Sequence, residues 1–322
     1  MQRSSVNGGY GDEATEIARF RRRRGREFVE WIDHCAHSSE VLKAIEELVR
    51  RASSVPGAPQ PLQALSAEER VAGAYVLMMG AKVASVGGVR AVDKHTVAAA
   101  QLLEQLVTDA RSLGAVQIQA VVGGDDSALT SIVEVAGFTP LAELQQLWLP
   151  LHPPNEPVPE PERVHAPLPI GLKWVAAKDV PREEVAALLG QTFIETLDCP
   201  SLNGLRSSLD ILDGFLDGQL LTEQAGWWLL ERADKLVGCS LINALPNGAG
   251  ELVYLGLVPG ARGRGFGKYL LDQAVVTSLQ LACEAVLAAV DYDNWPAIRM
   301  YAQRGFQERG RVQAWFHEPH QR

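Results

Sequence analysis

Residues 255–268, L-G-L-V-P-G-A-R-G-R-G-F-G-K, decide how the rest of this chain is read. A strand ends in Tyr254-Leu255-Gly256-Leu257, Pro259 stops it, a turn of Gly and Arg follows, and an amphipathic helix begins near Gly267. Such a junction is an anion site. Backbone N–H groups at a helix N-terminus converge on one point, small residues admit a phosphate, and the helix dipole favours negative charge. Two common phosphate loops are excluded by counting. A Walker loop ending at Lys268 needs Gly at position 262 and Ser or Thr at 269, where Arg262 and Tyr269 stand. A dinucleotide loop starting at Gly263 needs Gly at position 268, which is Lys268.

The surrounding chain sets the frame. With 322 residues and 47% hydrophobic content it can form two cored domains. A formal net charge of -9 argues against general attraction to nucleic acid or an anionic membrane and mildly favours a cationic amine. Cys35, Cys199, Cys239 and Cys283 form no C-x-x-C pair, so neither a zinc site nor a disulfide framework is expected, and reduced cytosolic thiols fit. Residues 1–15 lack the apolar core of a signal peptide, and no run approaches the ~20 residues of a membrane span. A cytoplasmic protein, monomer or homodimer, is the expectation.

Residues 1–35 read as a flexible basic segment leading into a first helix, with Phe28, Trp31, Ile32 and Cys35 as its buried stripe. The basic run Arg19–Arg26 is a solvated helix face or a contact for nucleic acid or an acidic partner. His34, Cys35 and His37 match no common zinc spacing, so no metal is expected. A first domain over 36–150 starts with a helix at 38–52, followed by strands at 71–79 and 82–89, a helix at 97–113, a buried strand at 116–122 and a short helix closed by Gly137-Phe138. Residues 151–168 form a proline-rich linker. The second domain, 169–322, reads strand 170–176, helix 181–193, helix 205–216, strands 227–231, 236–245 and 251–257, helix 267–282 and apolar strand 285–290. The helix at 267–282 is expected to bury Leu270, Leu271, Ala274, Val275, Ser278 and Ala282.

The chain also repeats itself. At an offset of 168 (270 minus 102), Leu102-Leu103 fall on Leu270-Leu271, Ala120 on Ala288, Val122 on Val290 and Gly137-Phe138 on Gly305-Phe306. The same register sets Lys94–Ala99 against Arg262–Gly267, so the first copy lacks every glycine of the loop. It also sets Val83 against Glu251, Asp126 against Asn294 and Val133 against Tyr301. The scaffold is duplicated, while the polar equipment stands in one half.

Downstream of the loop, across a helix and an apolar strand, lies N-x-x-A-x-x-x-Y-x-x-x-G-F, formed by Asn294, Ala297, Tyr301, Gly305 and Phe306. Asn294 suits an N-cap, Pro296 a first turn and Gly305 a helix stop. Ile298 and Tyr301 share one face. Taken alone, Tyr301 reads equally well as a buried tyrosine with a locally satisfied hydroxyl. Together, the two stretches resemble the GNAT superfamily of N-acetyltransferases, whose loop pattern is V-x-P-x-x-R-G-x-G-x-G; only Leu257 departs from it, standing for Val. The resemblance covers about residues 170–316, and its layout is similar to that of the tandem mycothiol synthases.

The resemblance implies an α/β (α+β) fold of two tandem GNAT-like domains. Each would be a mixed, mostly antiparallel twisted sheet with helices on both faces. It implies that Arg262, Gly263, Arg264, Gly265, Phe266, Gly267 and Lys268 hold the pyrophosphate of acetyl-CoA, the cosubstrate. Backbone groups of Leu255, Gly256 and Leu257 would pair with its pantetheine arm, and Asn294 would touch it on the far side. Direct transfer of acetyl to an amine is then the implied reaction, in the C-terminal domain. Glu251 would act as base through water, with Asp291 and Asp293 as substitutes, and Tyr301 would assist the leaving thiolate. The acceptor, a small-molecule amine or a protein N-terminus, is expected near Glu195, Asp198, Trp228 and Trp315, the last alongside Phe316 and His317. A mycothiol-synthase-like small-molecule acetylation is one reading of the substrate. The rival function is a non-catalytic acyl-CoA sensor or interaction module; keeping Glu251 and Tyr301 against Val83 and Val133 disfavours it.

Overall fold

The computed structural model describes residues 18–19, 61–65, 72–78, 82–91, 95–123, 126–151, 165–217, 226–245 and 248–318. The expected helices at 28–35 and 38–52, the basic run beyond Arg19, the His34–His37 cluster and most of the proline-rich linker lie outside these residues. The chain forms two compact units. One includes Ala84–Ala120 and Asp126–Thr139, and the other includes Pro140–Arg322.

The first unit orders its strands β1 (Ala18–Arg19), β2 (Pro61–Leu65), β3 (Ala72–Met78), β4 (Val83–Ala91) and β5 (Gln117–Gly123) side by side, with β1 through β4 antiparallel. Helix α1 (Thr96–Ser112) buries Ala99, Ala100, Leu102, Leu103, Leu106, Val107 and Ala110, the stripe expected of a helix resting on a sheet. Helix α2 (Ser127–Val135) starts at Asp126, whose carboxylate accepts from Leu129 N at 2.9 Å. Gly137, at φ 81°, follows its end.

The second unit carries β6 (Thr139–Pro150), β7 (Leu172–Ala176), β8 (Gly226–Arg232), β9 (Lys235–Ala244), β10 (Ala249–Leu257), β11 (Ala285–Asp291) and β12 (Gln307–His317) in the order β12-β6-β11-β10-β9-β8-β7. Strands β7 to β10 form an antiparallel meander. Helices α3 (Arg182–Phe193) and α4 (Ser208–Asp217) cover one face, where Val185, Leu188, Leu189 and Leu212 pack on Trp227, Leu229, Cys239 and Leu241. Helices α5 (Phe266–Gln280) and α6 (Trp295–Arg304) belong to the other face, where Leu271, Ala274, Val275 and Tyr301 meet Ile242, Leu252, Val286, Val290 and Phe306. Alternation along β9, with Leu241 on one cluster and Ile242 on the other, is the period-two pleat that lets one strand serve both cores.

The repeat is matched by the elements in the later part of each copy. Adding 168 to Gln117–Gly123 gives 285–291, the bounds of β11, and adding it to Ser127 gives 295, the start of α6. Asn294 caps α6 as Asp126 caps α2, accepting from Ala297 N at 3.4 Å, and Gly305, at φ 95°, stands where Gly137 does. The strands β1 and β2 stand where the sequence reading placed none, and two further features depart from it. Strand β6 was not anticipated, because Pro140, Glu143, Gln145 and Gln146 interrupt its apolar signal until Leu147 and Leu149; it nevertheless pairs antiparallel with β11 from Ala285↔Pro150 to Asp291↔Leu144. Ala282 is not buried. It lies beyond the end of α5, exposed and left-handed at φ 55°, while Gln273 and Thr277 are buried in its place and bond to each other at 3.2 Å. Gln273 also accepts from Ala166 N at 2.8 Å, which satisfies a polar side chain inside the core.

Candidate active site

The site begins with a strand pair that separates. Parallel pairing of β10 with β11 extends only over Ala249↔Ala285, Gly250↔Val286 and Glu251↔Leu287. Beyond that point β10 continues with β9 as far as Leu257↔Gly238, and β11 continues with β6 as far as Asp291. The two strands part after Glu251, and a register shift between Leu252 and Tyr254 marks the same place. Backbone N–H and C=O groups on the open edge of Leu255, Gly256 and Leu257 are thereby left for another partner. Gly256 is required there: a Cβ would lie 2.7 Å from the ring and hydroxyl of Tyr254, which folds over it. Tyr254 is held by Phe193 and Phe215, at centroid distances of 5.0 and 5.6 Å, and its hydroxyl shares a 2.9 Å hydrogen bond with Thr192 Oγ1.

The glycine loop follows directly. A 3-10 turn, Pro259–Ala261, seats Ala261 in the interior; Gly263 and Gly265 then take φ 69° and 75°, and α5 starts with no side-chain cap. An added Cβ at Gly260, Gly263 or Gly265 would meet nothing within 4 Å, so these residues border open space. The first-turn N–H groups of α5 have no acceptor within the helix and lie at the positive end of its dipole. Such a surface could hold an anion. Gly267 has another role: its Cβ would approach Met300 Sδ to 2.9 Å, so it allows α5 to pack on α6. Arg264 and Lys268 are exposed, Lys268 Nζ lies 4.8 Å from the Tyr269 centroid, and Phe266 lies under the Arg232 guanidinium at 5.7 Å. Arg262 turns away from the loop. Its Nε, Nη1 and Nη2 donate to the carbonyls of Leu257, Glu195 and Thr192 at 3.0, 3.0 and 2.8 Å.

Glu251 stands at the apex of the opening. Its side chain reaches solvent, yet surrounding protein raises its carboxyl pKa through lost solvation. Tyr301 is buried, with its ring 5.2 Å from Phe306. Burial, and then the charge of Asp198, raise its pKa, which keeps the phenol protonated. Asp198 and Asp291 form a reciprocal latch. Asp198 Oδ1 accepts from Asp291 N at 2.9 Å, and Asp291 Oδ2 accepts from Cys199 N at 3.0 Å. Burial and the Asp291 charge raise the Asp198 pKa, opposed by hydrogen bonds from the Asp291 backbone and the Asn294 side chain. Asp198, Asp291 and Asn294 therefore gather at the C-terminal end of β11, with Tyr301 within reach of the Asp198 charge.

Other candidates stand elsewhere or face differently. Glu195, left-handed at φ 52°, offers its carbonyl to Arg262 while its side chain is exposed. Trp228 stacks edge-on against His165 at 4.3 Å. Trp315 is 3% exposed and packs inside, together with Phe316 and His317. Asp293 is exposed, and its N–H bonds Asp291 Oδ1 at 3.0 Å. Thr192 and Tyr254 are the polar pair that sequence reading passed over; a tyrosine two residues before Gly256 was the available signal, and its partner lies 62 residues away.

Comparison with known proteins agrees with this geometry. Residues 192–306 match the family model described as the Acetyltransferase (GNAT) family. A mycothiol acetyltransferase of Streptomyces bingchenggensis is 28% identical over 186 residues; the match spans 57% of this chain and 57% of that protein, little more than half its length. Another, from Nocardioides sp., is 24% identical over 84% of this chain and 95% of its own. Among solved structures, a GCN5-related N-acetyltransferase from Sphaerobacter thermophilus superposes with a TM-score of 0.60 at 17% identity, covering 93% of this chain and 94% of that one. A tandem GNAT protein from the clavulanic acid biosynthesis pathway gives 0.57 at 15% identity, covering 94% and 97%. The fold is thus that of a tandem GNAT protein, and the parted strands with their glycine loop fall within the family match. Residues 192–306 thus carry a domain that matches the GNAT family, and the chain is similar in sequence to the mycothiol acetyltransferases.

Proposed function

We propose that the chain is an acetyl-CoA-dependent N-acetyltransferase that transfers acetyl directly to a small-molecule amine, and that the chemistry lies in the C-terminal unit. The observation that carries this reading is the opening between β10 and β11 beside an uncapped, glycine-lined helix start. The open edge at Leu255, Gly256 and Leu257 would bind the amide-bearing arm. First-turn N–H groups of α5, with Arg264 and Lys268 nearby, would hold the diphosphate. Asn294 would border the cofactor from the far side. The names of the relatives favour a small-molecule acceptor.

Amine attack on a thioester requires a neutral amine. At pH 7, deprotonating a lysine-like amine costs ~4.6 kcal/mol and an α-amine only ~1 kcal/mol. Glu251, whose pKa is raised by lost solvation, is the base suited to removing that proton through water. Tyr301, kept protonated by burial and by Asp198, donates a hydrogen bond to the departing sulfur that strengthens as charge develops there. Full proton transfer from Tyr301 is not required.

The test is calorimetric titration with acetyl-CoA combined with detection of free thiol across a panel of small primary amines, with a peptide N-terminus for comparison. Saturable binding plus amine-dependent thiol release is the expected result. Binding without release for any amine would favour an acyl-CoA sensor, and absence of binding would overturn both readings.

A further inference from the structure

The segment from Thr192 to Leu202 crosses from α3 to a 3-10 turn, Pro200–Leu202, and is fastened at two places. At one end, all three guanidinium nitrogens of Arg262 are occupied by carbonyls: Leu257 at the end of β10, and Thr192 and Glu195 at the end of α3. At the other, Asp198 and Cys199 are latched to Asp291 at the end of β11. The segment therefore bridges the two strands at the side where they have parted. Thr192 and Glu195 supply carbonyls at a helix C-terminus, where orphan acceptors and the negative end of the dipole both favour a cation. The bridge also holds strain. Glu195 and Cys199 adopt φ 52° and 44°, left-handed conformations that residues with a Cβ keep only when surrounding contacts impose them. The Arg262 and Asp291 bonds fall on these residues.

We infer that Arg262 is a positioning residue for the acceptor side, its guanidinium clamping residues 192–202 across the opening instead of binding the diphosphate. The consequence follows from geometry. The clamped segment carries Asp198, whose carboxylate accepts from Asp291 N at 2.9 Å at the end of β11, so loosening Arg262 frees the segment that holds this side chain against the parted strand. Lys cannot replace the planar fork, because one ammonium cannot reach three carbonyls in three directions with the same geometry. The inference rests on the reading that acyl transfer takes place in this opening, but the clamp can be tested without turnover.

The experiment compares the full-length chain with Arg262→Ala and Arg262→Lys by hydrogen exchange of peptides covering residues 192–202, by calorimetry with coenzyme A, and by steady-state kinetics with any amine found active. Expected for Arg262→Ala are an at least tenfold rise in exchange over that segment, a coenzyme A dissociation constant changed less than threefold, and acceptor kcat/KM lowered at least tenfold. Arg262→Lys should fall between wild type and Ala in exchange and should serve as the probe if the Ala variant does not fold. Unchanged exchange in the folded variant overturns the clamp, and so does a tenfold loss of coenzyme A affinity, which would make the side chain a diphosphate ligand. Hydrogen exchange needs no acceptor, so failure to find an active amine would count against the proposed function and leave the clamp to be judged on its own.

Discussion

Gly265→Ala separates the conformational role of the glycine loop from its role as an anion cradle. Gly265 has φ 75°, and its missing Cβ would point into open space, with nothing within 4 Å. Holding Ala in a left-handed conformation costs ~1–2 kcal/mol. At ~2–4 °C per kcal/mol for a unit of this size, the melting temperature should fall by about 2–8 °C. Gly171 provides the control. It lies in the same unit at φ 88°, also with nothing within 4 Å, so Gly171→Ala should incur a similar stability cost. The variants should diverge in binding. A methyl at Gly265 occupies the space a phosphate would use, and losing one charge-assisted hydrogen bond costs ~1.5–3 kcal/mol, a roughly 10- to 100-fold weaker dissociation constant. Thermal unfolding and coenzyme A titration of both proteins measure the two effects. Equal coenzyme A affinity in the two variants, at comparable stability loss, would refute the cradle.

Two further perturbations address the chemistry. Tyr301→Phe should lower kcat strongly, on the order of the 100- to 1000-fold seen for lost hydrogen bonds to developing charge, while acetyl-CoA affinity stays near normal; an unchanged kcat would remove Tyr301 from the mechanism. Glu251→Gln should lower kcat/KM and abolish its acidic limb, which for wild type should fall above the ordinary carboxylate range because lost solvation raises the Glu251 pKa. The same shift has a sign in stability. With the folded pKa above the unfolded value, the folded state favours the proton, and that contribution, complete below the unfolded pKa of ~4.3, is lost as pH rises through the folded pKa. Glu251→Gln should therefore be as stable as wild type at pH 3 and equally or more stable at pH 7, measured by chemical denaturation; clear destabilisation at pH 7 alone would mean that the Glu251 carboxylate has a favourable partner.

Much of the fold was legible because its elements carry local signals. Pro259, the glycines and the Leu270-Leu271 pair mark the junction of β10 and α5 within a few residues of sequence, and helix starts at Asp126 and Asn294 follow from the chemistry of a capping side chain. Strand β6 was not legible, since Gln145 is buried on a strand whose first half is polar; a residue's burial there depends on the neighbouring strand, not on its own period. Shifting the sequence by 168 would have exposed β6 as the counterpart of β12. Of the proposed site residues, Glu251, Tyr301 and Asn294 were named through the resemblance that the loop and the N-x-x-A-x-x-x-Y-x-x-x-G-F stretch carry. Asp198 could be suspected only as an acidic loop residue.

The amino-acid sequence alone determined that one scaffold was built twice and that glycines sufficient for an anion cradle stand only in the second copy, because both statements concern spacing along the chain. It also determined the start of α5, where Gly265 permits a backbone turn that other residues resist. Tertiary structure alone decided what the side chains around the loop do. Arg262 lies in the motif by sequence, yet its guanidinium reaches carbonyls 67 and 70 residues away, and Asp198 meets Asp291 across 93 residues. Such pairings leave no periodic trace, because their partners are chosen by the parting of β10 from β11, and that parting arises from how strands register in the sheet.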